Sequence, residues 1–313
     1  MGNSEVARRR RGNAVNGWIV IDKPAGITSA AVVSTVRRAT DAAKAGHGGT
    51  LDPLATGVLP IAFGEATKTV SYAVDGLKLY RFTVKWGEQR STDDAEGEIT
   101  EVSEVRPGEA EIRGVLNRFR GEIEQVPPTF SAIKVAGERA YALARADRSV
   151  ALAARRVYVD SIELVHCPNA DCAVFEVSAG KGVYMRALAR DLGRALGTFG
   201  HVIALRRLAV GPFSEGQAIS LEKVQELAHS AELVARLLPV GAALADIPAL
   251  TLTEAEAMRL KHGLPIAALP VACRSPLTDV SRDTVVCAMA KGRLVALAQI
   301  KGGEICPLRI LNL

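Results

Sequence analysis

The sequence has few aromatic residues, no regularly spaced cysteines and no long apolar runs, and each shortage excludes a class of protein. Aromatic residues make up 4% of the 313 positions, so the core must consist mainly of Ala, Val, Leu and Ile. No apolar run approaches the roughly 20 residues that a membrane-spanning helix needs. The 5 cysteines form an odd count, and Cys167 and Cys172 lack the second pair or nearby histidine of a zinc site. We therefore expect reduced thiols and no membrane association.

Common cofactor and catalytic signatures are also missing. Segment 46–51 has Leu where a dinucleotide-binding fingerprint needs its third Gly, and Gly180-Lys181 lacks the flanking residues of a phosphate-binding loop. The chain has no Gly-x-Ser-x-Gly elbow and no His-Glu-x-x-His pattern. Any chemistry is thus expected to need no cofactor and no metal.

Positive charge is concentrated in two segments. The formal net charge is +5, of which residues 1–16 contribute +3 and residues 127–156 contribute +4, while the rest of the chain carries −2. Basic segments on a nearly neutral body suit a polyanionic partner, because each cation that meets a phosphate releases counterions. A solvated tail and a solvated helix face would give the same pattern. No apolar stretch follows Arg8–Arg11, which argues against a secretory signal and for a cytoplasmic protein.

Hydrophobic patterns place the main elements. Residues 17–22 read as a strand, followed by a helix that Ser29 caps, and residues 44–68 read as a long structured loop rich in Gly and Pro. Residues 78–87 alternate, so that Tyr80 shares the inward face of a strand with three other large side chains. After residue 180 a helix carries an apolar stripe opposite an exposed basic face. The hydrophobic pattern changes at about residue 247, where short apolar segments typical of strands begin.

The segment HGGTLDPLATGVL at 47–59 closely resembles the catalytic loop of the TruB family of bacterial tRNA pseudouridine synthases. Further family-like motifs follow in the same order: GWIVIDKPAGITS, STDDAEGE, VPPTFSAIKVAGERAYALAR, GKGVYMRALARDLG and HVIALRRLAVGPF. The resemblance is specific over residues 17–213 and weak over the last 65. The chain departs from the family pattern at Gly48, usually Thr, and at Val183 and Met185, usually Thr and Ile. None of these residues carries the chemistry, although Gly48 adds backbone freedom.

This resemblance implies a fold and a domain division. The fold is α+β: a largely antiparallel central sheet with flanking helices, as in pseudouridine synthases, plus a small C-terminal β-rich PUA-like domain. We expect a flexible basic arm at 1–16 and a catalytic domain at 17–246. An RNA-gripping insertion at about 126–156 interrupts the catalytic domain, and an RNA-binding domain follows at 247–313.

The resemblance also implies the catalytic residues. Asp52 corresponds to the essential aspartate, acting as nucleophile or as stabiliser of a cationic sugar; otherwise Leu-Asp-Pro is a turn in which the aspartate bonds backbone. Tyr80 corresponds to the residue that stacks on the base and moves a proton, the alternative being a core aromatic. Arg186 corresponds to the partner of the catalytic aspartate and would keep it ionised and oriented; otherwise it is a solvated surface charge.

Four further residues are expected around the substrate. Tyr184 and Leu205 match positions that line the uracil pocket, although a helix-start aromatic and a core leucine would look the same. His47 matches a contact to the RNA, or else makes loop hydrogen bonds. Lys23 is expected to support the site from the neighbouring turn.

The expected function is isomerisation of uridine 55 in the T-arm loop of tRNA, after the base has been flipped out of the folded loop. The expected partner is the tRNA T-arm stem-loop, with no protein partner, and the protein is expected to be a monomer. Two alternatives stay open: a non-catalytic tRNA-binding or tRNA-folding protein, and a synthase guided by a separate RNA. The sequence leaves open whether Asp52 attacks the ribose C1′, and it indicates neither additional RNA substrates nor a role for the arm.

Overall fold

The computed structural model describes residues 12–131, 134–135, 138–139, 152–275 and 283–313. Most of the predicted basic arm, including Arg8–Arg11, lies outside this range. So do Arg145 and Arg148 of the predicted insertion. Within the described residues no helix is long and apolar enough to cross a membrane. All five cysteines are free thiols, as predicted.

The first half of the chain alternates strands with short helices. Its elements are β1 (Gly17–Lys23), α1 (Ser29–Ala39), β2 (Ala45–His47), β3 (Thr56–Phe63), α2 (Val70–Asp75), β4 (Lys78–Trp86), β5 (Glu88–Arg90), β6 (Ile99–Val102), α3 (Glu109–Val115), β7 (Gly121–Gln125), β8 (Lys134–Val135) and β9 (Glu138–Arg139). Short 3-10 turns lie at Gly64–Lys68 and Leu116–Phe119.

The second half contains two long strands, one long helix and the C-terminal strands. Its elements are β10 (Arg155–Asn169), β11 (Cys172–Ala179), α4 (Met185–Ala195), β12 (Gly200–Val210), β13 (Phe213–Ser214), β14 (Ala218–Ser220), α5 (Leu221–Glu226), α6 (Ala231–Ala235), β15 (Ala249–Thr251), α7 (Glu254–Lys261), β16 (Ile266–Ala267), α8 (Ala268–Ala272), β17 (Val285–Ala290), β18 (Arg293–Lys301) and β19 (Glu304–Ile310). Two more 3-10 turns lie at Glu215–Gln217 and Val240–Leu244.

A 10-stranded sheet forms the centre of the molecule, with strand order β14-β1-β3-β12-β4-β11-β10-β7; β2 pairs with β3 and β13 with β12 beside this path. The pairings β1–β14 and β3–β12 are parallel, and the others in this sheet are antiparallel. The predicted mixed, largely antiparallel sheet is therefore confirmed. β4 lies near its middle, where β12 and β11 flank it.

Both faces of the sheet are covered near β1 and β3. Ile19 and Ile21 pack into one apolar cluster with α1 and α4, whereas Trp18 and Val20 pack into a second cluster on the opposite face. A strand buried on both faces needs a continuous apolar run, as in GWIVI, and not strict alternation. In β4 the predicted alternation is confirmed, with Phe82, Val84 and Trp86 buried and Arg81 exposed.

The C-terminal strands form a separate 5-stranded sheet of order β15-β17-β18-β19-β16, consistent with the predicted PUA-like fold. Leu297 of β18 and Leu311, which directly follows β19, join the same apolar cluster as Trp18 and Val58. Lys68 also donates a hydrogen bond to the Ile310 carbonyl over 2.8 Å. The C-terminal sheet thus packs on the face of the central sheet opposite α1 and α4.

Two local predictions were wrong. Residues 44–68 are not one long loop, because β2 and β3 lie inside this segment and only Lys44 and residues 48–55 are irregular. The cap of α1 is Thr28 and not Ser29, since the Thr28 side chain accepts the amide of Ala31. Ser29 is instead the first helical residue, and it has another role described below.

Candidate functional site

The segment between β2 and β3 is anchored on both sides of Asp52. The Ser29 hydroxyl donates to the Leu51 carbonyl over 3.0 Å and accepts the Leu51 amide over 2.8 Å. The buried Lys23 ammonium donates to the Pro53 carbonyl over 3.1 Å. Because the residues before and after Asp52 are fixed in this way, its carboxylate has a defined position.

The Asp52 carboxylate lies beside a buried guanidinium. Oδ2 is 2.9 Å from Nε of Arg186, whose side chain is 4% exposed, while the Asp52 side chain is 34% exposed. The Nε–H bond does not point at the carboxylate, so the contact is an ion pair and not an aligned hydrogen bond. The Asp52 carboxyl group is therefore held against a cation and stays accessible from outside.

Arg186 itself is held by three further groups. Nη1 donates to the Thr92 carbonyl over 3.0 Å and lies 3.3 Å from Oδ2 of the buried Asp94, and Nη2 donates to the Phe130 carbonyl over 2.8 Å. The guanidinium is thus shared between two carboxylates and two carbonyls, which suits its planar fork. The predicted exposed basic face of α4 was wrong here, because Arg186 is buried against residues 92–94 and 130.

Arg190, one turn later on α4, makes a parallel set of contacts. Nη1 lies 2.8 Å from Oδ2 of Asp93, Nε lies 3.0 Å from Asp191, and Nη2 donates to the Val126 carbonyl over 2.7 Å. Burial raises the pKa of Asp93, and the Arg190 charge opposes that rise. Arg186 and Arg190 together attach the start of the predicted insertion to α4.

Tyr80 lies in the middle of the central sheet. It is half-buried, packs against the main apolar cluster and stands opposite Arg207 of β12 in the strand register. Leu205, two residues earlier on β12, is buried and stands opposite Phe82. Tyr80 and Leu205 are thus brought onto adjacent strands.

Tyr184 occupies the N-cap position of α4, directly before the helix that carries Arg186. Its backbone is held by the buried Gln125 side chain, which accepts the Tyr184 amide over 2.8 Å and donates to the Tyr184 carbonyl over 3.2 Å. The aromatic ring is half-buried.

His47 ends β2, five residues before Asp52. Its Nδ1 is buried without a hydrogen-bond partner. Burial lowers the pKa of His47, and the positive charge of Arg207 lowers it further, so the imidazole is neutral at pH 7. Burial likewise lowers the pKa of Lys23 to about 8, although the Asp52 charge opposes the shift.

Asp94 and Arg207 were missed by the sequence analysis. Both lie in motifs that carry the family resemblance, STDDAEGE and HVIALRRLAVGPF, but no local pattern shows that Asp94 approaches Arg186 or that Arg207 approaches residues 49–50. Among the described residues, no group of three or more His, Cys, Asp or Glu side chains is arranged to hold a metal ion.

Two family models match the chain. Residues 37–185 match the N-terminal domain of the TruB family pseudouridylate synthases, and residues 186–245 match the tRNA pseudouridylate synthase B C-terminal domain. The tRNA pseudouridine synthase B of Rhodospirillum rubrum is 57% identical over 308 residues, covering 98% of this chain and 100% of that protein. The corresponding protein of Gluconacetobacter diazotrophicus is 54% identical and covers 97% and 100%.

Solved structures show the same fold. A Cbf5-Nop10-Gar1 complex contains a chain with a TM-score of 0.73 and 27% identity, covering 94% of this chain and 84% of that one. A chain in an H/ACA RNP bound to a substrate RNA containing 2'-deoxyuridine gives a TM-score of 0.72 at 24% identity and covers 99% and 92%. With two family models and nearly full-length relatives above 50% identity, this chain belongs to the TruB family of pseudouridylate synthases.

Proposed function

We propose that this protein converts uridine 55 in the T-arm loop of tRNA to pseudouridine, and that Asp52 is the residue that acts on the ribose. Family membership makes the chain a tRNA pseudouridine synthase. The observation that carries the assignment to Asp52 is its geometry: an accessible carboxylate 2.9 Å from a buried guanidinium, between two anchored residues.

The reaction breaks a glycosidic bond and joins C5 of the uracil to the same ribose carbon. A carboxylate can support this step as a nucleophile or by stabilising positive charge on the sugar. In either role it must be ionised, which a neighbouring guanidinium favours. Arg186 supplies that charge from a position fixed by Asp94 and two carbonyls.

The remaining site residues receive roles that fit their places. Tyr80 offers a ring for stacking on the flipped base and a hydroxyl that moves a proton. Tyr184 and Leu205 line the uracil pocket, at the start of α4 and on β12. The neutral His47 contacts the RNA, and Lys23 holds the backbone after Asp52.

RNA contacts outside the pocket come from the predicted insertion and the C-terminal domain. Of the six basic residues in 127–156, Arg155 and Arg156 have described side chains, and both are exposed at the start of β10. We place the catalytic domain at 17–246, interrupted by the RNA-gripping insertion at about 126–156, and the PUA-like RNA-binding domain at 247–313. The protein acts as a monomer on the tRNA stem-loop without a protein partner.

The test is tritium release from a tRNA transcript that carries 5-tritiated uridine, with purified protein alone. Release by the wild type and its loss in Asp52→Asn, with tRNA affinity changed only a few-fold, are expected. Asp22→Asn is the matched control, because Asp22 also pairs with an arginine at 3.0 Å and is similarly exposed, but lies outside the site.

Each alternative predicts a different result in this experiment. A non-catalytic tRNA-binding protein binds the transcript and releases no tritium. An RNA-guided enzyme releases tritium only when a guide RNA is added. Residual turnover of even a few per cent in Asp52→Asn would remove the nucleophile assignment.

A further inference from the structure

Arg207 is a buried arginine whose partners are mostly carbonyl groups. Its side chain is 1% exposed. Nε donates to the Val58 carbonyl over 2.8 Å, Nη2 to the Gly49 carbonyl over 3.0 Å, and Nη1 reaches the Thr50 carbonyl at 3.4 Å. In the described part of the chain no carboxylate lies within ion-pair distance of it. A charge buried without an ionised partner is costly and is seldom kept without a use.

The Tyr80 phenol is an ionisable group that interacts favourably with this charge. Arg207 and Tyr80 are paired residues of β12 and β4. Burial lowers the pKa of the Arg207 guanidinium, and a side-chain hydrogen bond and charge interaction with the Tyr80 phenol offset part of the lowering. Negative charge that develops on the phenol oxygen would therefore meet a cation in a desolvated place.

The backbone before Asp52 packs directly on the same arginine. A Cβ at Gly49, whose φ is +103°, would lie 3.4 Å from Nη1 of Arg207. A Cβ at Gly57, whose φ is +98°, would lie 2.2 Å from the Arg207 carbonyl oxygen. Glycine is thus required where β3 meets β12. Arg207 holds residues 49–50 of the loop, while Ser29 holds Leu51 and Lys23 holds Pro53.

We propose that Arg207 is a positioning residue for the reaction: it orders residues 49–50 ahead of Asp52 and places a positive charge beside the Tyr80 hydroxyl. The inference rests on the proposed function. Arg207 touches neither base nor ribose and acts through its two neighbours. The other charged or titratable groups around this centre are Lys23 on β1, His47 on β2, Lys78 on β4 and the Asp52–Arg186 pair.

The experiment measures single-turnover rates at saturating tRNA, with the Arg207 variants made alone and in the Tyr80→Phe background. Arg207→Met should lower the rate about 10²-fold. This loss should shrink when the Tyr80 hydroxyl is already absent, because part of it acts through that hydroxyl. Affinity for tRNA should change by less than about threefold, since the stacking ring is retained.

Two further variants make the result specific. Arg206→Met is the matched control: the adjacent Arg206 is a partly exposed arginine that pairs with Asp22 and Glu215, and its loss should leave the rate unchanged. Arg207→Lys keeps the positive charge beside the phenol, so the rate should fall only about tenfold. The remaining loss arises because an ammonium cannot serve three carbonyls.

A folded Arg207→Met protein with a wild-type rate would overturn the proposal, and so would a rate loss that is fully additive with that of Tyr80→Phe. If the Met variant does not fold, the rate loss in Arg207→Lys must shrink in the Tyr80→Phe background, and additive losses would overturn the proposal. Failure of the proposed function is distinct, because then the wild type forms no pseudouridine.

Discussion

Replacing Arg186 by Met should separate the stability of this site from its chemistry. Met fills much of the same volume but carries no charge and no donor. The change removes the cation from Asp52 and from the buried Asp94, and it removes the donors to the carbonyls of Thr92 and Phe130. We expect the variant to be both less stable and much slower.

The magnitude follows from burial. Removing one partner of a buried ion pair costs about 3–5 kcal/mol, because the other charge stays uncompensated. This figure applies to Asp94; Asp52 is about one-third exposed and adds little, because water screens it. At about 2–4 °C per kcal/mol for a chain of this size, the unfolding temperature should fall by roughly 6–20 °C. Misplacing a reacting group by about 1 Å can cost 10²-fold in rate, so we expect at least that loss.

Calorimetry and single-turnover rates at a temperature where all variants are folded provide the measurement. Arg190→Met is the matched control, since Arg190 lies one turn later and pairs with the buried Asp93 but makes no contact with Asp52. It should lose similar stability and keep a rate near wild type. An Arg186→Met protein that turns over within threefold of wild type would refute this account of the site.

Four further outcomes are expected. Tyr80→Phe should lower turnover by about 10²–10⁴-fold with little change in affinity for tRNA, whereas Tyr80→Leu should weaken binding as well. If both variants keep the wild-type rate and change only the melting temperature, Tyr80 is a packing residue. Lys23 has its pKa lowered to about 8, so the unfolded chain binds more protons than the folded one between pH 8 and 10.5, and the free energy of unfolding should rise with pH across that window. Urea titrations at both ends of the window should show a smaller rise for Lys23→Met than for the wild type. Part of the rise should remain, because the buried Lys78 also has its pKa lowered to about 8. Replacing the six basic residues of 127–156 by Gln should reduce the salt slope of tRNA binding by about 0.7–0.9 for each phosphate that is no longer neutralised, and an unchanged slope would exclude phosphate binding there. Truncation after Asp246 should preserve turnover on a saturating T-arm stem-loop but lower the melting temperature, because Trp18 and Val58 lose Leu297 and Leu311; a folded truncate without turnover would show that the domain completes the site.

Local patterns predicted those parts of the fold that local forces determine. The alternation in 78–87 gives β4, and the apolar stripe after residue 184 gives α4. β3 was missed because it is buried on both faces, so it shows no alternation, and because Gly57 and Pro60 suggest a loop. Gly57 is required instead by the close approach of the Arg207 backbone, which is 150 residues away along the chain.

The same limit applies to the site. Family-like motifs indicated Asp52, Tyr80 and Arg186, but the surroundings of each depend on contacts between distant segments. A helix pattern places Arg186 opposite the apolar stripe, which predicts exposure when α4 is considered alone. The guanidinium is buried because residues 92–94 and 130 cover that face. Nothing local in STDDAEGE indicates that Asp94 serves this arginine.

The proposed role of Asp52 asks two things of one carboxylate: it must carry a charge, and an oxygen must stay free to act on the ribose. A carboxylate that accepts aligned hydrogen bonds is stabilised in its charged form but has its lone pairs occupied. Here the guanidinium directs its terminal donors to Asp94 and two carbonyls, and it meets Asp52 through an Nε–H that does not point at the oxygen. In the proposed reaction, the charge of Arg186 would therefore favour the ionised carboxylate while leaving an oxygen lone pair available to the ribose. Because Asp94 and the carbonyls already hold Arg186, the position of Arg186 does not depend on its contact with Asp52.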